Sequence, residues 1–239
     1  MTSTAVTTER RDGVLIAHLD DGKANALSTD IIEALHEVID GAEQDDSVGA
    51  VVLHGRPGRF CAGFDLGVMT GADLGAIIGL VGEGGALVHR LYGCRVPVVA
   101  ASTGHALAAG ALLLLGCDVR IGADVDAKVG LNEVAIKMVL PDWALTIAAE
   151  RLSKRHLQRA VANARITSPS AAVDVGYLDE VVPTDELLGR AVAVAAEMAA
   201  TLDPSAYART VDALRGDVLA TMEAQIAADR ASTVPPTAT

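Results

Sequence analysis

The stretch Val96-Pro97-Val98-Val99-Ala100-Ala101, running into Thr103-Gly104-His105-Ala106-Leu107-Ala108-Ala109-Gly110 and on to Gly116, constrains the fold more than any other. Its first part is an apolar run of strand length and its last part an apolar helix, with a turn of small residues between them. Such a turn leaves backbone N–H groups unpaired at a helix start. Those donors and the helix dipole point the same way, and suit an anion or a carbonyl that develops negative charge. Small side chains at Ala108, Ala109 and Gly110 would let a ligand touch the backbone. The same stretch also fits a close helix–sheet contact with no ligand, so the rest of the chain has to decide.

With 239 residues the chain can bury a proper core, and it reads as a core domain over 1–200 and a helical extension over 201–239 with a disordered end. Aromatic residues are only 3% against 51% hydrophobic, so Ala, Val, Leu and Ile must build that core. A formal net charge of −12 argues against nucleic acid or an anionic membrane as the main partner, while leaving an anionic small ligand open. Cys61, Cys94 and Cys117 are odd in number and widely spaced, which fits a reducing compartment better than a disulfide framework. Metal-ligand spacing is absent, as are an apolar signal core and an uninterrupted apolar run of ~20 residues. A soluble, cytoplasmic protein is expected.

Taken in order, residues Met1 to Thr8 read as frayed and Val14 to Leu19 as a strand. Ser28 offers an N-cap to a helix whose apolar face holds Ile31, Ile32, Leu35, Val38, Ile39 and Ala42. Val48 to Leu53 returns as a strand, a unit whose default connection is a right-handed parallel crossover. Phe60 to Leu66 is a short loop where a strand has just ended, the place where parallel α/β sheets bind ligands. Gly67 to Gly93 is glycine-rich with a weak helical pattern, as in a mobile pocket wall or a poorly specified surface helix. A dinucleotide fingerprint fails because Leu87 stands where a third glycine is needed, and a nucleophile elbow fails at Ala100. Asp118 to Gly122 is a further strand, and Lys128 to Val134 places Glu133 at the edge of an apolar segment. Desolvation there would raise its pKa and make it a competent proton shuttle; a solvated loop position would not. Helices follow from Trp143 to Leu152, Lys154 to Ala164, from Ser168-Pro169 to Gly176, over 187–202 and over 205–231, with a strand from Tyr177 to Val182.

Together these motifs resemble the crotonase superfamily, the enoyl-CoA hydratase/isomerase family. The matching positions are Asn25-Ala26-Leu27, Phe60-Cys61-Ala62-Gly63-Phe64-Asp65-Leu66, Pro97 to Ala100 with Gly104 and Gly110, Cys117-Asp118-Val119-Arg120, Asn132-Glu133 and Tyr177 to Pro183. Each is weak alone, and their order and spacing carry the signal from about Val14 to Pro183. The resemblance implies an α/β spiral of strand–strand–helix turns with a helical C-terminal region, homotrimers or dimers of trimers, and an acyl-CoA thioester as substrate. It implies no cofactor, CoA entering as part of the substrate. It places the backbone N–H groups of Ala62 and Ala109 on the thioester oxygen, where each aimed donor is worth ~3 kcal/mol of barrier, and Glu133 as the catalytic acid–base. Lys23, Ala24, Phe60, Gly63, Phe64 and Asp65 are expected along the substrate, as are Leu66, His105, Gly110, Leu112 and Trp143. Lys23, Arg56 and Arg59 are cations within reach of the CoA phosphates.

One departure from the family pattern bears on the reaction. The hydratases of the family carry two glutamates, and the first maps onto Leu112, which holds no proton. Adding water needs one group to deprotonate water and another to protonate carbon, whereas a 1,3-proton shift needs only one. Isomerase-like chemistry is therefore expected over hydration. A non-catalytic acyl-CoA binder, or hydrolysis or decarboxylation of a CoA ester, is the alternative. Asp142 and Glu83 are further carboxylates, read first as a surface Asp at a helix start and a solvated Glu.

Overall fold

A computed structural model describes residues 5–232. Strands β1 (Val6–Arg11), β2 (Val14–Leu19) and β3 (Ala50–Gly55) open the chain, with helix α1 (Thr29–Gln44) between the last two. β2 and β3 pair in parallel, as the strand–helix–strand pattern requires, and β1 pairs antiparallel with β2. The expectation that Met1 to Thr8 is frayed fails at Val6, Thr7 and Thr8. They pair with Leu19, His18 and Ala17, and their exposed, polar edge-strand character is what hides the strand from the sequence. Residues 1–4 and the tail expected to be disordered, Thr233 to Thr239, lie outside the described residues.

The chain continues through β4 (Gly58–Cys61), α2 (Leu66–Met69), α3 (Leu74–Tyr92), β5 (Val98–Ser102), β6 (Gly104–Leu107), α4 (Ala109–Gly116), β7 (Val119–Ala123) and β8 (Val129–Gly130). It ends with α5 (Asp142–Arg151), α6 (Lys154–Ala160), α7 (Pro169–Val175), β9 (Glu180–Val182), α8 (Leu187–Thr201) and α9 (Pro204–Arg230). The strands form two sheets, β1-β2-β3-β5-β7-β9 and β4-β6-β8. Two expectations change here. Phe60-Cys61 is the end of a strand rather than loop, and β6 stands between β5 and the helix of the opening stretch. Both are four-residue strands of a second sheet, too short to show a period. The strand expected from Tyr177 keeps only Glu180–Val182, because Tyr177 and Leu178 are buried side chains at the turn after Gly176.

The apolar runs of the large sheet reflect burial on both faces, as in parallel sheets covered by helices. Val14, Ile16, Ala50, Val52, Val99, Ala101 and Ile121 pack against Leu187, Ala191 and Ala195 of α8. Alternate residues, among them Leu15, Ala17, Val51, Leu53, Val98 and Ala100, face the main core with α1, α3 and α4. Helix α3 is the larger correction: the glycine-rich segment is a 19-residue helix capped by Asp73, with ten of its residues buried. By length and composition it is apolar enough to cross a membrane, but here it packs against α1, α4 and α9. Gly82, Gly84 and Gly85 weaken the helical pattern because they take the side chains of Arg230, Phe64 and Trp143 rather than offer their own. Helix α9 lies across α3 and α5 and is bolted by Arg215, whose guanidinium pairs with the largely covered carboxylate of Asp118 at 2.6 Å and stacks on Tyr92.

Candidate active site

Three chain segments converge at the C-terminal ends of β4 and β6. Asn25 organises the first. It takes a positive φ of 52° and its buried amide donates to the carbonyls of Leu19, Arg59 and Phe60 while its oxygen accepts from the Asp21 N–H. A buried polar group satisfied on four sides fixes the loop it sits in. That loop carries Ala24 and Leu27, which bond to the segment after β4: the Ala62 N–H donates to Ala24, the Leu27 N–H to Gly63 and the Asp65 N–H to Leu27.

These bonds decide which amides remain free. Ala62, expected as an oxyanion donor, gives its N–H to the Ala24 carbonyl at 3.2 Å. Gly63 has φ 101° and its carbonyl accepts from Leu27, so the trans peptide it shares with Phe64 points the Phe64 N–H the other way. Among the described residues nothing accepts that N–H. Across the gap, Ala108 donates to Gly130 and its carbonyl accepts from Ala111 and Leu112, which turns the Ala109 N–H outward from the first turn of α4. Ala108 holds φ 52° to do so, a strained conformation for a residue with a Cβ. Gly63 and Ala109 are close neighbours: a Cβ on Gly63 would lie 3.7 Å from the Ala109 nitrogen. Gly110 has no room for a side chain, since its Cβ would overlap the Cys61 carbonyl, and this contact brings the helix start against the end of β4.

Beside these amides lies an apolar cavity of ≈240 Å³. Ala62, Phe64, Leu66, Leu107, Ala108 and Leu112 line it from the two turns, Met69 and Val81 from α2 and α3, and Trp143 and Pro141 from the start of α5. Asn132, Glu133, Ile136, Met138 and Val139 complete it. Among the described residues Glu133 is its only ionisable side chain. It is 8% exposed, its Oε2 has no partner among the described residues, and burial pushes its pKa up from 4.5 to about 7. Its carbonyl accepts from Ile136 and Met138, so a single 3-10 turn over Val134–Ile136 fixes the backbone that presents it.

Other expected residues fall elsewhere. Phe60 is buried in the core. Asp65 caps α2 through Gly67 at 2.7 Å and, with Lys23 and Ala24, lines a neighbouring cleft of ≈480 Å³. His105 turns away from the cavity and accepts the Lys128 N–H at 2.9 Å. Arg56 is held by Asp20 and the Lys23 carbonyl. Glu83 pairs with Arg230 at the surface and Asp142 heads α5; neither lines the cavity. Met69, Val81, Leu107, Asn132, Ile136, Met138, Val139 and Pro141 line it without having been expected along the substrate. Only Asn132 had a signal, its place beside Glu133. The three cysteines are free and buried, with burial pushing Cys61 and Cys94 up to about 12. Among the described residues no group of three or more His, Cys, Asp or Glu is placed to hold a metal ion.

The family model for enoyl-CoA hydratase/isomerase matches residues 9–238. Mouse mitochondrial enoyl-CoA delta isomerase 1 is 33% identical over 202 residues, covering 84% of this chain and 70% of that protein. An enoyl-CoA hydratase/isomerase family protein from Pseudomonas syringae superposes with TM-score 0.93 at 38% identity, over 98% of this chain and all of that one. Human mitochondrial delta3-delta2-enoyl-CoA isomerase superposes with TM-score 0.87 at 29% identity, over 95% and 90% of the two chains. With this fold, two outward-facing amides and a carboxylate in an apolar cavity, the chain belongs to the enoyl-CoA hydratase/isomerase family, the crotonases, and is an acyl-CoA enzyme of that family.

Proposed function

We propose that the protein shifts the double bond of a 3-enoyl-CoA into conjugation with its thioester, with Glu133 as the sole acid–base group and the N–H groups of Phe64 and Ala109 on the thioester oxygen. The observation that carries this reading is the cavity lining, in which one carboxylate faces otherwise uncharged walls and Leu112 occupies the place of a second. Phe64 replaces Ala62 because its amide is free where that of Ala62 is spent on Ala24.

The chemistry follows from these groups. Ionised Glu133 takes the C2 proton, and the electron pair moves onto the thioester oxygen, where two fixed amide donors stabilise it without reorganising. The neutral carboxyl returns the proton at C4, and the electrons collapse to leave a C2–C3 double bond. No water, redox partner or cofactor is consumed, and CoA enters as part of the substrate. A pKa of about 7 suits both halves, since the group must take and give a proton near neutrality. Water addition to a 2-enoyl-CoA would need a second proton-handling group, and Asp142 and Glu83 lie outside the cavity. Glu133 faces the cavity rather than solvent, which favours an enzyme over a passive acyl-CoA binder.

The test is turnover of 3-enoyl-CoA and 2-enoyl-CoA by the wild type and Glu133→Gln. The wild type is expected to convert the first to the conjugated thioester and to hydrate the second poorly, and the variant to lose the isomerisation. Undiminished turnover of both by the variant overturns the proposal.

A further inference from the structure

Helix α3 presents consecutive glycines, Gly84 and Gly85, to the two aromatic rings of the cavity. A Cβ on Gly84 would overlap the Phe64 ring, and one on Gly85 would stand 2.8 Å from Trp143 Cε2 and 2.9 Å from its Nε1. Trp143 is fully buried, and Ile226 of α9 meets the same Cβ position of Gly85 at 3.1 Å. The indole and Ile226 thus share the space over Gly85, and the cavity the indole lines is the open space beside it. With chains of only 3% aromatic content, these rings are the bulkiest groups available to set the size of that space.

We infer that Trp143, seated on Gly85 of α3 beside Ile226, is the floor that sets the length of straight acyl chain this enzyme accepts. The inference rests on the proposed function only in taking the cavity as the acyl site. A Cβ added at Gly85 meets the indole at 2.8 Å, so the ring has to shift and the cavity it lines changes with it, whereas a smaller ring at position 143 deepens that cavity. A methylene gained or lost in an apolar pocket is worth ~10-fold or more in discrimination, so the effect is readable as a change in chain-length ratio.

The experiment measures dissociation constants for saturated hexanoyl-, octanoyl-, decanoyl- and dodecanoyl-CoA, alongside turnover of the matching 3-enoyl-CoAs. Proteins are the wild type, Gly85→Ala, Trp143→Phe and the double variant. Gly85→Ala is expected to lower the decanoyl-to-hexanoyl affinity ratio about tenfold and Trp143→Phe to raise it about tenfold. The double variant is expected to return toward the wild-type ratio, a coupling that general destabilisation does not produce. If Gly85→Ala fails to fold, the Trp143→Phe ratio alone decides. Ratios unchanged in the folded variants overturn the inference, even where all affinities fall together. Length-dependent binding without isomerisation overturns the proposed function and leaves this inference standing, and absence of binding to any acyl-CoA overturns both.

Discussion

Replacing Glu133 by Gln should make the protein more stable and far less active, both in a pH-dependent way. Burial raises the Glu133 pKa from 4.5 to about 7, so between these values the folded protein keeps a proton that the unfolded chain has released. Stability therefore falls as pH rises through this window, and above about pH 7 the native state carries a buried carboxylate whose Oε2 has no partner among the described residues. The gap corresponds to about 3 kcal/mol. Gln is isosteric and never ionises, so its stabilising effect should be near zero below pH 4.5 and grow to about 3 kcal/mol above pH 7. For a chain of this size that is roughly 6–12 °C in Tm. Thermal unfolding of both proteins across this pH range is the assay. In parallel, kcat/KM of the wild type for a 3-enoyl-CoA should rise with pH through about 7 to a plateau, and in the variant should drop by roughly 10²–10⁴-fold and lose that inflection. A stabilisation that is the same at both ends of the range, or one absent above pH 7, would refute the buried-carboxylate reasoning.

Leu112→Glu puts a second carboxylate into a position 2% exposed beside Glu133; its charge should move the kcat/KM inflection to higher pH, and a pH–rate profile checks this. Ala108→Gly should release the strain of φ 52°, stabilising the fold by about 1 kcal/mol in urea denaturation, while a looser Ala109 amide lowers kcat. Arg215→Ala leaves Asp118, 8% exposed on its side chain, without its cation, and should cost roughly 3–5 kcal/mol. Hydrogen exchange should then show α9 protected less than the large sheet.

Much of the fold was legible because period and burial coincide in it. The runs Val14–Leu19 and Val98–Ser102 are apolar at almost every position, and only a strand covered on both faces makes such a run. Helix α1 shows its face and its Ser28 cap openly, since its apolar residues contact the sheet and its others meet solvent. Helix α3 was not legible. Its pattern is blurred at Gly82, Gly84 and Gly85, and their reason lies in Arg230, Phe64 and Trp143, residues distant in the chain. The short strands β4 and β6 escaped for a related cause, as their pairing is with each other and β8 rather than within any local pattern.

The site divides the same way. Small residues at a strand-to-helix turn, a lone carboxylate among apolar neighbours and Leu112 in place of a second acid are local properties, and residue order alone determined them. Which amides are free is not local. It depends on Ala24 and Leu27 reaching across to accept from Ala62 and Asp65 and to bond Gly63, which leaves the Phe64 N–H without an acceptor among the described residues. The burial that raises the Glu133 pKa comes with a cavity whose other walls, among them Trp143, Val81 and Met138, come from distant parts of the chain. Hydrogen-bond occupancy and desolvation are sums over neighbours brought together by folding, so only the tertiary structure decided them.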